Sequence, residues 1–161
     1  MSGYRVTFES SLFSPNGADR EASHATLQLY LDTLVRANCI IMARQQLPLL
    51  YASGVRYQAE PRGQENWLDC LRVLAKRKAD CEDLASMRAA ELRTRFGVRD
   101  ARAIFTFWQH PQTREQRYHC LVRYPAPPTG GGGYVHPSYR VVDDGLYEED
   151  PSKVLGMKGA Y

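Results

Sequence analysis

Cys81, His119 and an aspartate farther along are the side chains whose types and order in this sequence suit covalent chemistry. Cys81 lies in Asp80-Cys81-Glu82-Asp83-Leu84-Ala85, an acidic opening to an apolar pattern that predicts the first turn of a helix, with Asp80 as its N-cap. A thiol there feels the partial positive charge of backbone N–H groups without intrahelical partners, which favours thiolate over thiol. A nucleophilic thiol also needs a base, usually histidine, and a third polar group that fixes the imidazole; the three meet in space and need not be close in sequence. His119, in the middle of the strand-like run Tyr118-His119-Cys120-Leu121-Val122, is the obvious base. An aspartate on a following strand would complete the set. Taken alone, each residue has a simpler role: a small buried cysteine under a helix cap, or a structural histidine on a strand. The order of the three sets them apart.

These residues must be held by elements that the apolar spacing outlines. Tyr4, Val6 and Phe8 alternate weakly before Pro15-Asn16-Gly17, suggesting a short strand and a turn. From Ala18 to Gln46, Leu27, Tyr30, Leu31, Leu34, Ile41 and Met42 recur at helical spacing, so a long amphipathic helix is expected up to Pro48. Residues 47–63 carry Pro48, Gly54, Pro61 and Gly63 and read as a loop or extended connector. Trp67, Leu71 and Leu74 mark a second helix over 64–77, with Trp67 on its apolar stripe and Lys76-Arg77-Lys78 at its C-terminus. The helix opened by Asp80 runs to Phe96-Gly97, where glycine suits a C-terminal cap.

Beyond Gly97 the pattern turns to strands. Ala101–Gln109 and Gln116–Tyr124, separated by His110-Pro111-Gln112, outline an antiparallel hairpin. Residues 125–133 form a Pro- and Gly-rich loop, and Tyr134–Val142 and Gly145–Glu149 flank the turn signal Asp143-Asp144-Gly145. Helices first and antiparallel strands afterwards predict one α+β domain over 1–161, helical over about 18–97 and sheet over about 101–157.

Composition narrows the function classes. The 161 residues are 43% hydrophobic and 24% charged, ordinary for a globular domain, and a net charge of +3 is too small for a protein whose main task is holding phosphates. Nucleic acid is therefore not the expected partner. The longest apolar runs are far short of the roughly 20 residues of a membrane span, and the N-terminus has no hydrophobic signal-peptide core. Cys39, Cys70, Cys81 and Cys120 are widely and irregularly spaced, with no C-x-x-C pair, and read as thiols in a reducing compartment. No metal or other cofactor is expected: the one Cys/His adjacency, His119-Cys120, directs its side chains to opposite faces of a strand, and His24, His110 and His136 lack ligand spacing. His24 is expected on a solvated helix face. The basic-rich stretch 72–102 and the acidic stretch 143–150 are read as solvated faces, with subunit docking as the sharper alternative.

Asp80-Cys81-Glu82-Asp83-Leu84-Ala85, then Tyr118-His119-Cys120-Leu121-Val122, then Glu149-Asp150-Pro151-Ser152, resembles the transglutaminase-like branch of the papain-like cysteine hydrolases. More narrowly, LPLLYASGVRY, ENWLDCLRVL, DCEDLASMRAAELR and EDPSKVLGM resemble small transglutaminase-like proteins encoded in tailed-phage genomes, over about residues 47–157. The resemblance implies a papain/transglutaminase-like core in which a cysteine opens a helix packed on an antiparallel sheet carrying the other two residues. It implies Cys81 as nucleophile, His119 as general base and then acid, and Asp150 as the group that holds the imidazole, with Asp143 and Asp144 as fallbacks. The oxyanion would be met by the Cys81 backbone N–H and one upstream donor among Trp67, Gln64 and Tyr57.

Ala79 stands where the phage relatives usually have glycine. Glu82 and Asp83 oppose the helix dipole at Cys81, weakly if they face solvent. Two functions follow from the resemblance. One is a cysteine hydrolase or acyl transferase acting on a peptide or amide of a protein substrate. The other is a structural component of a phage neck, tail or baseplate that uses the fold to dock neighbouring virion proteins, alone or as an oligomer. The implied location is the bacterial host cytoplasm or the virion.

Overall fold

The computed structural model describes residues 17–61, 65–109, 112, 116–125, 138–142 and 145–158. Helix α1, Gly17–Arg44, buries Ser23, Leu27, Leu31, Val35, Asn38 and Met42, a stripe at steps of three and four along one side. The expected loop after it is more ordered than its prolines and glycines suggest. It contains a 3-10 turn, Leu50–Ala52, and a two-residue strand β1, Arg56–Tyr57.

Helix α2 spans Cys70–Lys76, shorter than the 64–77 expected, because Asp69 caps it by accepting from the Arg72 N–H at 3.0 Å. Trp67 therefore precedes the helix, where it packs near Tyr30 and Phe105. Arg77 closes α2 in the left-handed region, and Lys78–Ala79 forms β2, parallel to β1.

Helix α3, Cys81–Arg95, begins directly after β2 and ends before Gly97, whose φ of +70° suits glycine. Every residue from Cys81 to Leu92 is buried. The charges of this stretch are expected on solvated faces; instead α3 is a central helix, packed between α1 and the sheet, that takes Glu82, Asp83, Arg88 and Glu91 inside with it. Among the residues around it, Leu31, Leu50, Val73, Ala103, Val122 and Tyr124 form the core.

Strands β3 (Arg102–Gln109), β4 (Gln116–Pro125), β5 (Arg140–Val141) and β6 (Leu146–Glu149) form an antiparallel sheet in the order β3-β4-β6-β5. The β3–β4 hairpin matches its expected limits within a residue and pairs Phe105 with Cys120 and Thr106 with His119. Of the expected strand Tyr134–Val142, the described residues contribute the two of β5. The free side of β3 is met by α1: Gln28 donates to the Ala103 carbonyl at 3.0 Å and accepts from the Phe105 N–H at 3.4 Å. A one-turn helix α4, Pro151–Val154, follows β6 directly, because proline at its first position needs no N–H donor and Asp150 caps it.

The chain is thus α+β, with N-terminal helices and a C-terminal antiparallel sheet. No described helix is long and apolar enough to cross a membrane. Four charged or polar positions differ from expectation. His24 is not on a solvated face but stacks on Phe107 with ring centroids 3.5 Å apart. Arg88, within the basic-rich stretch, is buried, and so are Glu148 and Glu149 in the acidic one. The N-terminal strand, Gln64, His110, the tetraglycine loop, His136, Asp143 and Asp144 lie outside the described residues.

Candidate active site

Three elements bring Cys81, His119 and Asp150 together across separations of 38 and 31 residues. Strand β1 braces two of them. On one side Arg56 and Gln58 donate to the carbonyls of Arg77 and Ala79, which fixes the approach to Cys81; on the other, the Tyr57 N–H donates to the Leu155 carbonyl at 3.0 Å, which fixes α4 and its cap Asp150. Ala79 sits in this parallel pairing and is buried.

His119 is buried in β4, and its Nε2 lies 3.1 Å from Asp150 Oδ1. The same Asp150 oxygen accepts from the Lys153 N–H at 3.2 Å, and the Lys153 ammonium is 3.8 Å from Oδ2. The aspartate is thereby held by its own helix cap and by a nearby cation. With Nε2 turned to Asp150, Nδ1 is the ring nitrogen left for Cys81, with which His119 hydrogen-bonds. Burial alone would lower the imidazole pKa; the bonds to Asp150 and Cys81, and the charges of both, outweigh it and push it up to about 9.

Cys81 is 8% exposed. Its pKa is held well below the ordinary thiol value: a hydrogen bond from Cys120 contributes most, burial opposes, and His119 adds both a hydrogen bond and its charge. The site therefore favours a thiolate facing an imidazolium. His119 and Cys120, adjacent on one strand and expected to diverge, both act on the Cys81 sulfur.

The acidic residues beside Cys81 are the largest departure from expectation. Asp80 occupies the N-cap position with an extended backbone, but its side chain makes no capping bond. Glu82 and Asp83 do not face solvent. Asp83 accepts from the Leu68 N–H at 2.6 Å, and Glu82 Oε2 lies 3.1 Å from Cys81 Sγ. Burial first, and then the charges of Cys81 and of the neighbouring carboxyl groups, push Asp80 up to about 8 and Glu82 and Asp83 well above the carboxylate range. A protonated Glu82 donates to the thiolate instead of repelling it. Glu82 and Cys120 were missed as contributors because each is ordinary in sequence, a helix glutamate and a strand cysteine. Only the fold buries Glu82 against the sulfur of its chain neighbour and turns Cys120 toward it.

Of the upstream donors, Trp67 belongs to the aromatic packing, while Tyr57 lies in the field of Cys81, Asp80, Glu82 and Asp150. Burial and those charges push its phenol up to about 12, so it keeps its proton and remains a donor. Next to this centre, Gln58, Glu60, Leu68, Lys78, Asp80 and Asp83 line much of a cleft of about 290 Å³. Two groups of possible metal ligands occur among the described residues, Cys81 with Glu82 and Cys120, and Glu60 with Glu65 and Asp80.

A second cluster frames the first. Arg88 holds Glu149 through two bonds, Nε–Oε2 at 2.9 Å and Nη2–Oε1 at 3.1 Å, and reaches Glu91 through Nη1. Glu149 also accepts from the hydroxyls of Tyr51 and Tyr124, and Glu91 from the Leu50 N–H at 2.6 Å. This network ties α3, the 3-10 turn, β4 and β6 together one residue before Asp150. No family model, curated protein or solved structure matches the chain.

Proposed function

We propose that this protein is a cysteine hydrolase or acyl transferase of transglutaminase-like type, acting on an amide of a peptide or protein. The convergence of Cys81, His119 and Asp150 from a helix N-terminus, a strand and a strand–helix junction carries the reading. The Cys81 thiolate attacks the amide carbon, and the developing oxyanion is met by the Cys81 backbone N–H, with the Tyr57 hydroxyl as the second donor. The His119 imidazolium protonates the departing amine, leaving a thioester on Cys81. Neutral His119 then takes a proton from water or an acceptor amine, which attacks the thioester and frees Cys81. Asp150 keeps Nε2 protonated and the ring in register throughout.

Alkylation by iodoacetamide from pH 5 to 9, with each cysteine mapped, tests this. Cys81 is expected to react rapidly down to the acid end, and His119→Ala to shift that reactivity toward the alkaline end. Reaction of Cys81 no faster than Cys39, Cys70 and Cys120 would refute it.

A second reading, carried by the resemblance alone, has the fold serve as a docking module of a phage particle, for which the 8% exposure of Cys81 would be that of an unused thiol. That reading expects Cys81 to resist alkylation in the folded protein at every pH.

A further inference from the structure

Cys120 touches no reacting atom of the acyl substrate and acts there only through its hydrogen bond to Cys81, yet it is fully buried against the nucleophile. The two sulfurs and a Glu82 carboxyl oxygen all lie within 4.8 Å of one another. Cys120 cannot meet a solute directly, whereas Cys81 keeps a small opening to solvent. A disulfide has its sulfurs about 2.0 Å apart, so rotation of the two side chains with a small approach of α3 to β4 would close the pair. The remaining thiols, Cys39 on α1 and buried Cys70 at the start of α2, belong to the core packing outside this pair.

We propose that Cys81 is a site of oxidation by hydroperoxides and that Cys120 is its resolving cysteine, the two closing to an internal disulfide that switches the site off reversibly. The inference rests on the thiolate reading of Cys81 but requires no acyl substrate. In the first step the Cys81 sulfur attacks one peroxide oxygen; the S–O bond forms and the O–O bond breaks. Sulfur loses two electrons, peroxide gains them, and the leaving hydroxide takes the His119 proton to become water. In the second step the Cys120 sulfur attacks the sulfenic sulfur. The S–S bond forms, the S–O bond breaks, and the departing hydroxide takes the Cys120 proton as a second water. The net change converts two thiols and one hydrogen peroxide into a disulfide and two waters. Because the resolving thiol is already in place, Cys81 is diverted from the irreversible sulfinic and sulfonic acids.

The test treats the full chain with hydrogen peroxide, blocks remaining thiols with N-ethylmaleimide, and reads intact mass and peptide maps. The expected result is loss of two hydrogens from the mass, a Cys81–Cys120 cross-linked peptide, and full recovery of both thiols with dithiothreitol. In Cys120→Ser the cross-link is lost and Cys81 proceeds to sulfinic acid. Should that variant fail to fold, the wild-type time course decides alone. Accumulation of sulfinic Cys81 without the cross-link, a cross-link between Cys39 and Cys70, or an unoxidised Cys81 each overturns the proposal. Acid-range alkylation of Cys81 together with sulfinic acid in place of a disulfide would sink the switch and leave the hydrolase reading standing. A Cys81 inert to both reagents sinks both.

Discussion

Helix α3 carries two clusters of buried ionisable groups a few residues apart, and they are neutralised in opposite ways. Around Arg88, both oxygens of Glu149 and both of Glu91 have donors, and a guanidinium supplies the charge. Around Cys81, three carboxyl side chains are buried with a single imidazolium, and Asp80 Oδ1 and Glu82 Oε1 have no hydrogen-bond partner among the described residues. The first cluster is held by ion pairs and full satisfaction, the second by retained protons. A satisfied network makes a rigid frame; a protonated one stays responsive to pH and to the charge on sulfur. The frame holds Glu149, and through it Asp150, while the responsive cluster surrounds the nucleophile.

The same substitution made in both clusters gives the sharpest contrast. Glu149→Gln removes the charge that Arg88 needs and is expected to cost about 3 kcal/mol in urea unfolding. Glu82→Gln replaces a protonated carboxyl by an amide of equal shape, and its expected effect is within about 1 kcal/mol. Equal losses would erase the distinction.

A smaller effect appears in the pH dependence of stability. The Asp80 carboxyl titrates at about 8 when folded against 3.8 ordinarily, so the stability it permits is full below about pH 4 and declines as pH rises through 8. Asp80→Asn is expected to flatten that decline in denaturation curves recorded from pH 4 to 8; an unchanged slope would assign the decline elsewhere. Smallest is a shift confined to one ring. Two of the influences raising His119 come from Cys81, so in Cys81→Ala its NMR titration is expected below the wild-type value of about 9, with Asp150 still holding it above a histidine lacking that partner. A titration that does not move would break the thiolate–imidazolium pair.

What could be read from the sequence follows from length and period. The stripe of α1, the start of α3 and the β3–β4 hairpin each rest on several repeats of a pattern and were legible. The parallel β1–β2 pair, two residues on each side, has no period to detect, yet it braces the site. The burial of Glu82, Asp83, Arg88 and Glu91 was illegible for a different reason: single-helix patterning assumes a solvated face, and α3 has none over Cys81–Leu92. Cys81 and His119, with an aspartate to follow, were legible as an ordered set, since order survives without knowledge of contacts; the choice of Asp150 over Asp143 and Asp144 rests on the resemblance. Cys120 and Tyr57 become functional candidates only through neighbours supplied by other elements.

The side chain of Gln28 has a consequence for how this sheet meets other molecules. An outer strand as long as β3 is a ready template for another chain, and natural proteins blunt such edges. The Gln28 amide presents one donor and one acceptor to Ala103 and Phe105, the pair of bonds a further strand would make there. One residue of a helix thus imitates a strand along the edge of β3. Gln28→Ala would leave the Ala103 carbonyl and the Phe105 N–H without this partner and is expected to raise self-association at high concentration, read by light scattering, a consequence of geometry independent of any chemistry at Cys81.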